Sequence, residues 1–371
     1  MLLGLRFETA SQAAGVLMFF PILFVGTCAL GQPKPLCLVV AGDCRADYPW
    51  NKKRAGDKQG INEDVINEIA TAISKDDAEP KILLWTGDIV NVNECVGAEC
   101  AGLNPEEKRD FLERGLKRWR EIMDQHFKGK ITILPVRGNH EVEWYEEKDR
   151  SPSQILDATK IWNKVFTLPS DIPKPNQTDQ GTTFAYATGP VLCIGLDQYE
   201  NRRHLIHQQW LNDVLQRNKK PFIFAFCHEP MFATGGNHTR EETLAAYPHY
   251  RDEMLKSLQA AGARVFLGGH DHFYDHMVVR KPWTPIGAEM HQVTAGTAGA
   301  PCYTRQGGYP PDEDWQLEQV KHSDFVYGYI RIVIKESAKP NEGTAIIEFK
   351  ARQPDKSYQA IDRFTYSVKF P

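Results

Sequence analysis

Five short apolar runs in this chain end in the same way, and that repetition narrows the possible folds more than any other feature. Leu36 to Ala41 runs into Gly42-Asp43, and Ile82 to Thr86 runs into Gly87-Asp88. Ile131 to Leu134 leads through Val136-Arg137 into Gly138-Asn139-His140-Glu141. Phe222 to Cys227 meets His228, and Val265 to Leu267 meets Gly268-Gly269-His270-Asp271-His272. Each run is β-rich and leaves Asp, Asn or His at the edge of a core, where α/β sheets keep their chemistry. One such stretch is an ordinary turn signal, whereas the recurrence is a pattern.

Helical repeats separate the runs. Ile61, Val65, Ile66, Ile69 and Ala72 recur at helical spacing, with Asn62 placed to cap them. A second helix opens with Asn104 as N-cap, Pro105 in the first turn and Glu107 closing a capping box. Its buried face is Phe111, Leu112, Leu116, Trp119, Ile122 and Met123. Helical periodicity returns at His207 to Leu215 and at Tyr250 to Ala260, and Thr183 to Ala187 with Val191 to Leu196 reads as a hairpin-like pair. Such alternation predicts a parallel sheet with right-handed crossovers. The excursion from Glu143 to Gly181, with a helical patch at Ile155 to Phe166, is expected to be a surface insertion. Beyond His276 the spacing predicts strands only, at Gln292 to Ala295, Tyr327 to Ile334, Thr344 to Phe349 and Phe364 to Val368. A second sheet packed on the first would use them. The predicted fold is α/β, a two-sheet βαβ sandwich flanked by helices, with residues 32–371 as one domain.

A chain of 371 residues that is 42% hydrophobic can bury a core of useful size. Its net charge of -4 provides no global basic field, so no nucleic-acid polymer is expected as a partner. Arg6 precedes an uncharged stretch from Ala13 to Leu30, and Ala29-Leu30-Gly31 fits cleavage after a signal peptide of residues 1–31. The expected location is therefore secreted, periplasmic or at the cell surface. Membrane contact would follow only if the leader stays as an anchor or Cys28 is lipidated, and Thr27 is a poor residue to precede a lipidated cysteine. In an exported chain the closely spaced Cys95 and Cys100 are expected to be bridged. Cys37, Cys193 and Cys227 sit inside apolar runs and read as small buried hydrophobes.

Asp, Asn and His at neighbouring strand ends favour a metal site over a nucleophile triad. No Gly-x-Ser-x-Gly and no Gly-x-x-x-x-Gly-Lys-Ser/Thr loop is present. One bridging carboxylate with imidazoles and an amide can hold two ions roughly 3.5–4 Å apart. The ordered blocks Gly-Asp-x, Gly-Asp-x-x-Asn, Gly-Asn-His-Glu, His-Glu-Pro and Gly-His-Asp-His resemble those of the calcineurin-like metallophosphoesterases. Gly269-His270-Asp271-His272-Phe273-Tyr274 and Gln209-Trp210-Leu211 look closest to the purple acid phosphatase-like branch. The resemblance implies that Asp88 bridges two ions, with Fe, Zn or Mn expected. Asn139, His228 and His270 would complete the second site, and Asp43 and His272 would serve the first. His140 would stand beside the substrate phosphate as general acid or charge-stabilising donor. The implied activity is hydrolysis of a small phosphate ester by a metal-bridging hydroxide. Diesters such as nucleotides, or a catalytically weak binding protein of the same fold, are the alternatives. Asp271, His276 and His238 match nothing the family requires and are read as neighbours of the site or surface residues. Glu141 and Glu229 are read as partners that orient an imidazole.

Two positions depart from the family. Where most members carry Asp-x-His in the first block, this chain has Arg45, which cannot donate a lone pair to a metal. Where purple acid phosphatases place a Tyr three residues beyond the bridging Asp, this chain has Asn91. Asn91 is therefore expected to ligate or nearly ligate the first metal, without tyrosinate colour. Arg45 is expected to contact the phosphate if it points inward. The alternative is that it faces solvent in the Lys-rich loop that follows.

Overall fold

Successive residues of a β-strand face opposite sides, and in this chain both sides are apolar. In β1 (Leu36–Ala41), Leu38 and Val40 face one way while Val39 and Ala41 face the other, and all four are buried. A strand of that kind belongs to a sheet covered on both faces. The computed structural model describes residues 35–46, 60–76, 79–92, 104–142, 152–168, 173, 181–199, 205–236, 244–285, 287–336 and 341–370. The expected signal segment at residues 1–31, with Cys28, and also Cys95, Cys100 and His238 lie outside them.

The strands that follow are β2 (Pro80–Trp85), β3 (Thr132–Pro135), β4 (Phe184–Thr188), β5 (Val191–Gly195), β6 (Phe222–Phe226) and β7 (Val265–Gly268). Then come β8 (Tyr274–Arg280), β9 (Met290–Ala295), β10 (Gln316–Ser323), β11 (Gly328–Glu336), β12 (Glu342–Arg352) and β13 (Tyr358–Lys369). They form two sheets, ordered β13-β12-β11-β1-β2-β3 and β10-β8-β9-β7-β6-β5-β4. Each has a parallel centre, β1-β2-β3 in the first and β5-β6-β7-β9 in the second, and antiparallel partners outside it.

Leu38, Val40, Ile82 and Leu84 of the first sheet form one core with Phe222, Phe224, Phe226 and Val265 of the second. Each of those phenylalanines contributes about 1.5–3 kcal/mol by leaving water. The outer face of the first sheet packs on α1 (Glu63–Ser74), α2 (Pro105–Phe127) and α3 (Pro152–Val165). That of the second packs on α4 (Gln208–Arg217) and α5 (Pro248–Ala260). The two-sheet α/β sandwich flanked by helices is thus present. Both predicted caps form: Asn62 Oδ1 accepts from Val65 N, and Asn104 with Glu107 makes the full capping box. Cys37, Cys193 and Cys227 are buried in the cores, as their apolar surroundings predict.

Three expectations need correction. The late strands do not form a second sheet of their own: β11, β12 and β13 extend the first sheet from the open edge of β1, and β9 alone of the four joins the second. Alternation identifies a strand without naming its neighbour. β8 and β10 were not foreseen, and β10 is a largely polar edge strand, Gln316-Leu-Glu-Gln-Val-Lys-His-Ser323, with no buried face to pattern it. The excursion after Glu143 is more than a surface insertion, because Ala158, Ile161, Trp162 and Phe166 are buried and belong to the same core as α2. Phe166 meets Trp119 edge-on at 5.7 Å and Trp162 at 4.5 Å.

Trp162→Ala should therefore destabilise the chain by about 3–5 kcal/mol, the usual cost of truncating a buried aromatic. Urea denaturation measures this, and a change within about 0.5 kcal/mol would return α3 to the status of a surface insert.

Candidate metal centre

The ends of β1 and β2 and the turn after β7 each place a functional side chain through an unusual backbone conformation. Asp43, Asp88 and His270 have φ of 61°, 51° and 70°, in the left-handed region that costs a non-glycine residue on the order of 1 kcal/mol or more. Adjacent glycines make the close approach possible. A Cβ on Gly138 would run into Asp88 Oδ1, and one on Gly269 into Asp43 Oδ2. Backbone donors fix the carboxylates across elements: His270 N donates to Asp43 Oδ1 at 2.8 Å, and His140 N to Asp88 Oδ1 at 3.2 Å. All five motif ends thus converge, three from the first sheet and two from the second.

Asp43, Asp88 and His272 are buried and offer donor atoms within 4.8 Å of one another. His272 Nδ1 lies 2.7 Å from the carbonyl of Pro301, which can only accept. That nitrogen carries the proton, and Nε2 keeps its lone pair, 3.6 Å from Asp43 Oδ1. His228 repeats the device, with Nδ1 2.8 Å from the Thr86 carbonyl. Its Nε2 faces two further acceptors, Asn139 Oδ1 at 3.0 Å and Asp88 Oδ1 at 3.4 Å, with His270 Nδ1 also 3.0 Å away. Donors sharing one ion at roughly 2.0–2.2 Å lie about 3 Å apart, so this grouping suits a cation. Asp43 Oδ2 is buried and makes no hydrogen bond among the described residues, as an oxygen reserved for an ion would be. The donor set therefore fits metal ions, in two groups that share Asp88.

Electrostatics agrees. Burial, and then the neighbouring Asp88 charge, push the Asp43 carboxyl well above its usual range, while the His270 N–H and Arg45 pull it down. Burial and Asp88 likewise raise Glu141, against the backbone N–H groups of Val90, Gly138 and Ile89. Crowding carboxyls in one interior creates a demand for positive charge.

The remaining expected residues take definite places. His140 is 7% exposed, its Nδ1 3.2 Å from Asn91 Oδ1 and its Nε2 3.8 Å from Asp88 Oδ2. Asn91 also donates to the Ala46 carbonyl at 3.0 Å, so its amide orients His140. Arg45 points inward at 2% exposure, which overturns the solvent-facing alternative. Glu141 is fully buried. It accepts from the backbone N–H groups of Asp88, Ile89, Val90 and Gly138 at 2.7–3.0 Å and so clamps the loop that carries Asp88. Glu229 accepts from Tyr199 Oη at 2.9 Å, Asp271 pairs with Thr234, and His276 is buried against Asp362 and His291.

Sequence reasoning missed three participants. Asp197 receives buried Arg137 at 2.8 Å and ties the end of β3 to that of β5. Its signal was present, since Gly195-Leu196-Asp197 repeats the strand-end pattern. Tyr303 stacks on His272 at 4.1 Å, and Pro301 fixes the tautomer of that histidine. Neither belongs to a motif.

Glu141→Gln would set an amide N–H₂ against backbone donors and loosen the Asp88 loop. Metal affinity should fall about 10–100-fold with the fold retained. Equilibrium dialysis with zinc reads this out, and unchanged affinity would remove Glu141 from the support of the centre.

Among solved structures, the purple acid phosphatase PPD1 from yellow lupin (Lupinus luteus) seeds superposes with a TM-score of 0.62 at 14% identity, over 91% of this chain and 54% of that one. This chain thus spans about half of that protein. GAP50, described as the anchor in the inner membrane complex of Plasmodium, superposes with a TM-score of 0.51 at 14% identity, over 90% of this chain and 89% of that one. These likenesses concern the fold. No curated protein sequence matches the chain significantly. The sequence pattern of the calcineurin-like phosphoesterases matches residues 38–274, more than half of the chain and every donor from Asp43 to His272. This chain belongs to the calcineurin-like phosphoesterase family.

Proposed function

We propose that the chain is an exported hydrolase of small phosphate esters that works with two metal ions, Fe, Zn or Mn. The observation that carries this reading is the arrangement of His228 and His272. Each has Nδ1 fixed by a backbone carbonyl and Nε2 turned toward the paired buried carboxylates Asp88 and Asp43. Asp43, Asp88 and His272 would hold one ion, and Asp88, Asn139, His228 and His270 the other. Two ions there would supply the Lewis acidity that phosphoryl transfer needs.

The chain's own residues supply the proton chemistry. Asn91 Oδ1 accepts from His140 Nδ1, which leaves Nε2, on the Asp88 side, to give or take a proton at the leaving oxygen. A location outside the cytoplasm rests on the leader at residues 1–31. No helix among the described residues is long and apolar enough to cross a membrane. The second reading, a weakly catalytic binding protein of this fold, draws support from Arg45, a cation buried beside the shared carboxylate.

Metal analysis of the purified chain with assays on an aryl phosphate and an aryl phosphodiester separates the readings. Bound metal with turnover supports the hydrolase, and bound metal without turnover the binding protein. Asp88→Ala should abolish both metal occupancy and hydrolysis, so a mutant that kept two ions per chain would refute the shared role of Asp88. His140→Ala should keep the ions and lose about 10²–10⁴-fold in turnover. Intact turnover in that mutant would take the proton role from His140.

A further inference from the structure

We infer that Arg45 makes the two ion positions unequal. The position at Asp88, Asn139, His228 and His270 binds tightly, and the position at Asp43, Asp88 and His272 binds weakly, because the guanidinium already shares Asp88. This rests on the two-ion reading above.

The two oxygens of Asp88 have different neighbours. Oδ1 faces His228 Nε2 at 3.4 Å, whereas Oδ2 faces Arg45 Nε at 3.6 Å. The first oxygen meets a lone pair, and the second a charge that never leaves, since guanidinium stays protonated and donates no lone pair.

Arg45 is held from its far end as well. Its Nη2 donates to Tyr303 Oη at 2.9 Å, and the Tyr303 ring lies on His272 at 4.1 Å with only 23° between the planes. The guanidinium is therefore built into the Asp43–Asp88–His272 group through two of its members. Asn91, the residue placed by sequence to compensate, has its Oδ1 3.2 Å from His140 Nδ1 and donates its amide N–H to the Ala46 carbonyl. The other group brings Asn139 Oδ1, His228 Nε2 and His270 Nδ1 around Asp88 Oδ1. An ion entering the first group must share its carboxylate with a resident positive charge in a buried setting, where Coulomb terms are strong.

The test is calorimetric titration of the chelator-stripped full chain with zinc, alongside the zinc-to-protein ratio after gel filtration. Wild type should show two classes of site separated by about tenfold or more in affinity. Arg45→Met, which removes the charge without adding a donor, should tighten the weaker class toward the stronger. Arg45→Lys, which keeps the charge, should preserve the separation. One retained ion in wild type and two in Arg45→Met would be the same result in stronger form. Two equal sites in wild type, or a separation unchanged in folded Arg45→Met, would overturn the inference and leave the two-ion reading standing. No zinc binding at all would overturn both.

Discussion

Two buried carboxylates held within a few ångströms of one another are the constraint on which the rest of this site depends. Asp43 and Asp88 project from adjacent parallel strands, and burial removes the water that would otherwise screen them. Left alone, such a pair would take up a proton or spread apart. The chain prevents spreading with left-handed backbone at both aspartates, with glycines that let neighbouring loops close in, and with main-chain N–H donors from opposite motifs. The imidazoles of His228 and His272 are then aimed at the pair by carbonyls that settle their tautomers. Local strain of this kind persists only where the surroundings over-determine it.

The sandwich supplies those surroundings. Each sheet has a parallel centre that ends in the same region, so five strand ends from two sheets can contribute to one small volume. The buried pair of Arg137 with Asp197 joins the end of β3 to that of β5, and Thr159 of α3 accepts from the same guanidinium at 2.7 Å. The helix that looked like an insertion therefore takes part in locking the two sheets together near the donors. An ion pair that deep contributes little net stability, because desolvation offsets its Coulomb gain, while its hydrogen bonds span the two sheets.

Much of this was legible because it is local. Asn62, Asn104 and Glu107 announce helix starts through contacts spanning a few residues, and the strand-end Asp and His residues follow directly from apolar runs. Sheet membership was not legible: Ile330, Ile332 and Ile334 alternate as any strand would, and nothing in that alternation names β1 as their neighbour. Tyr303 and Pro301 act on His272 from a loop with no periodicity, across nearly thirty residues of chain. Arg45 was legible as a departure from a motif, but its burial against Asp88 comes from a tertiary contact between strand ends.

The clamp made by Glu141 links chemistry to local dynamics. Asn139, His140 and Glu141 form one short turn, so a single element carries the amide that faces His228, the imidazole beside Asp88 and the carboxylate that fastens the Asp88 loop. Fraying of that turn would release four amides at once and scatter donors from two strands together. Loss of an ion breaks none of those four bonds. Linkage still couples the two events: an ion held by donors of that turn would oppose its opening, so amide hydrogen exchange at Asp88, Ile89 and Val90 would slow when a metal binds and quicken when it leaves.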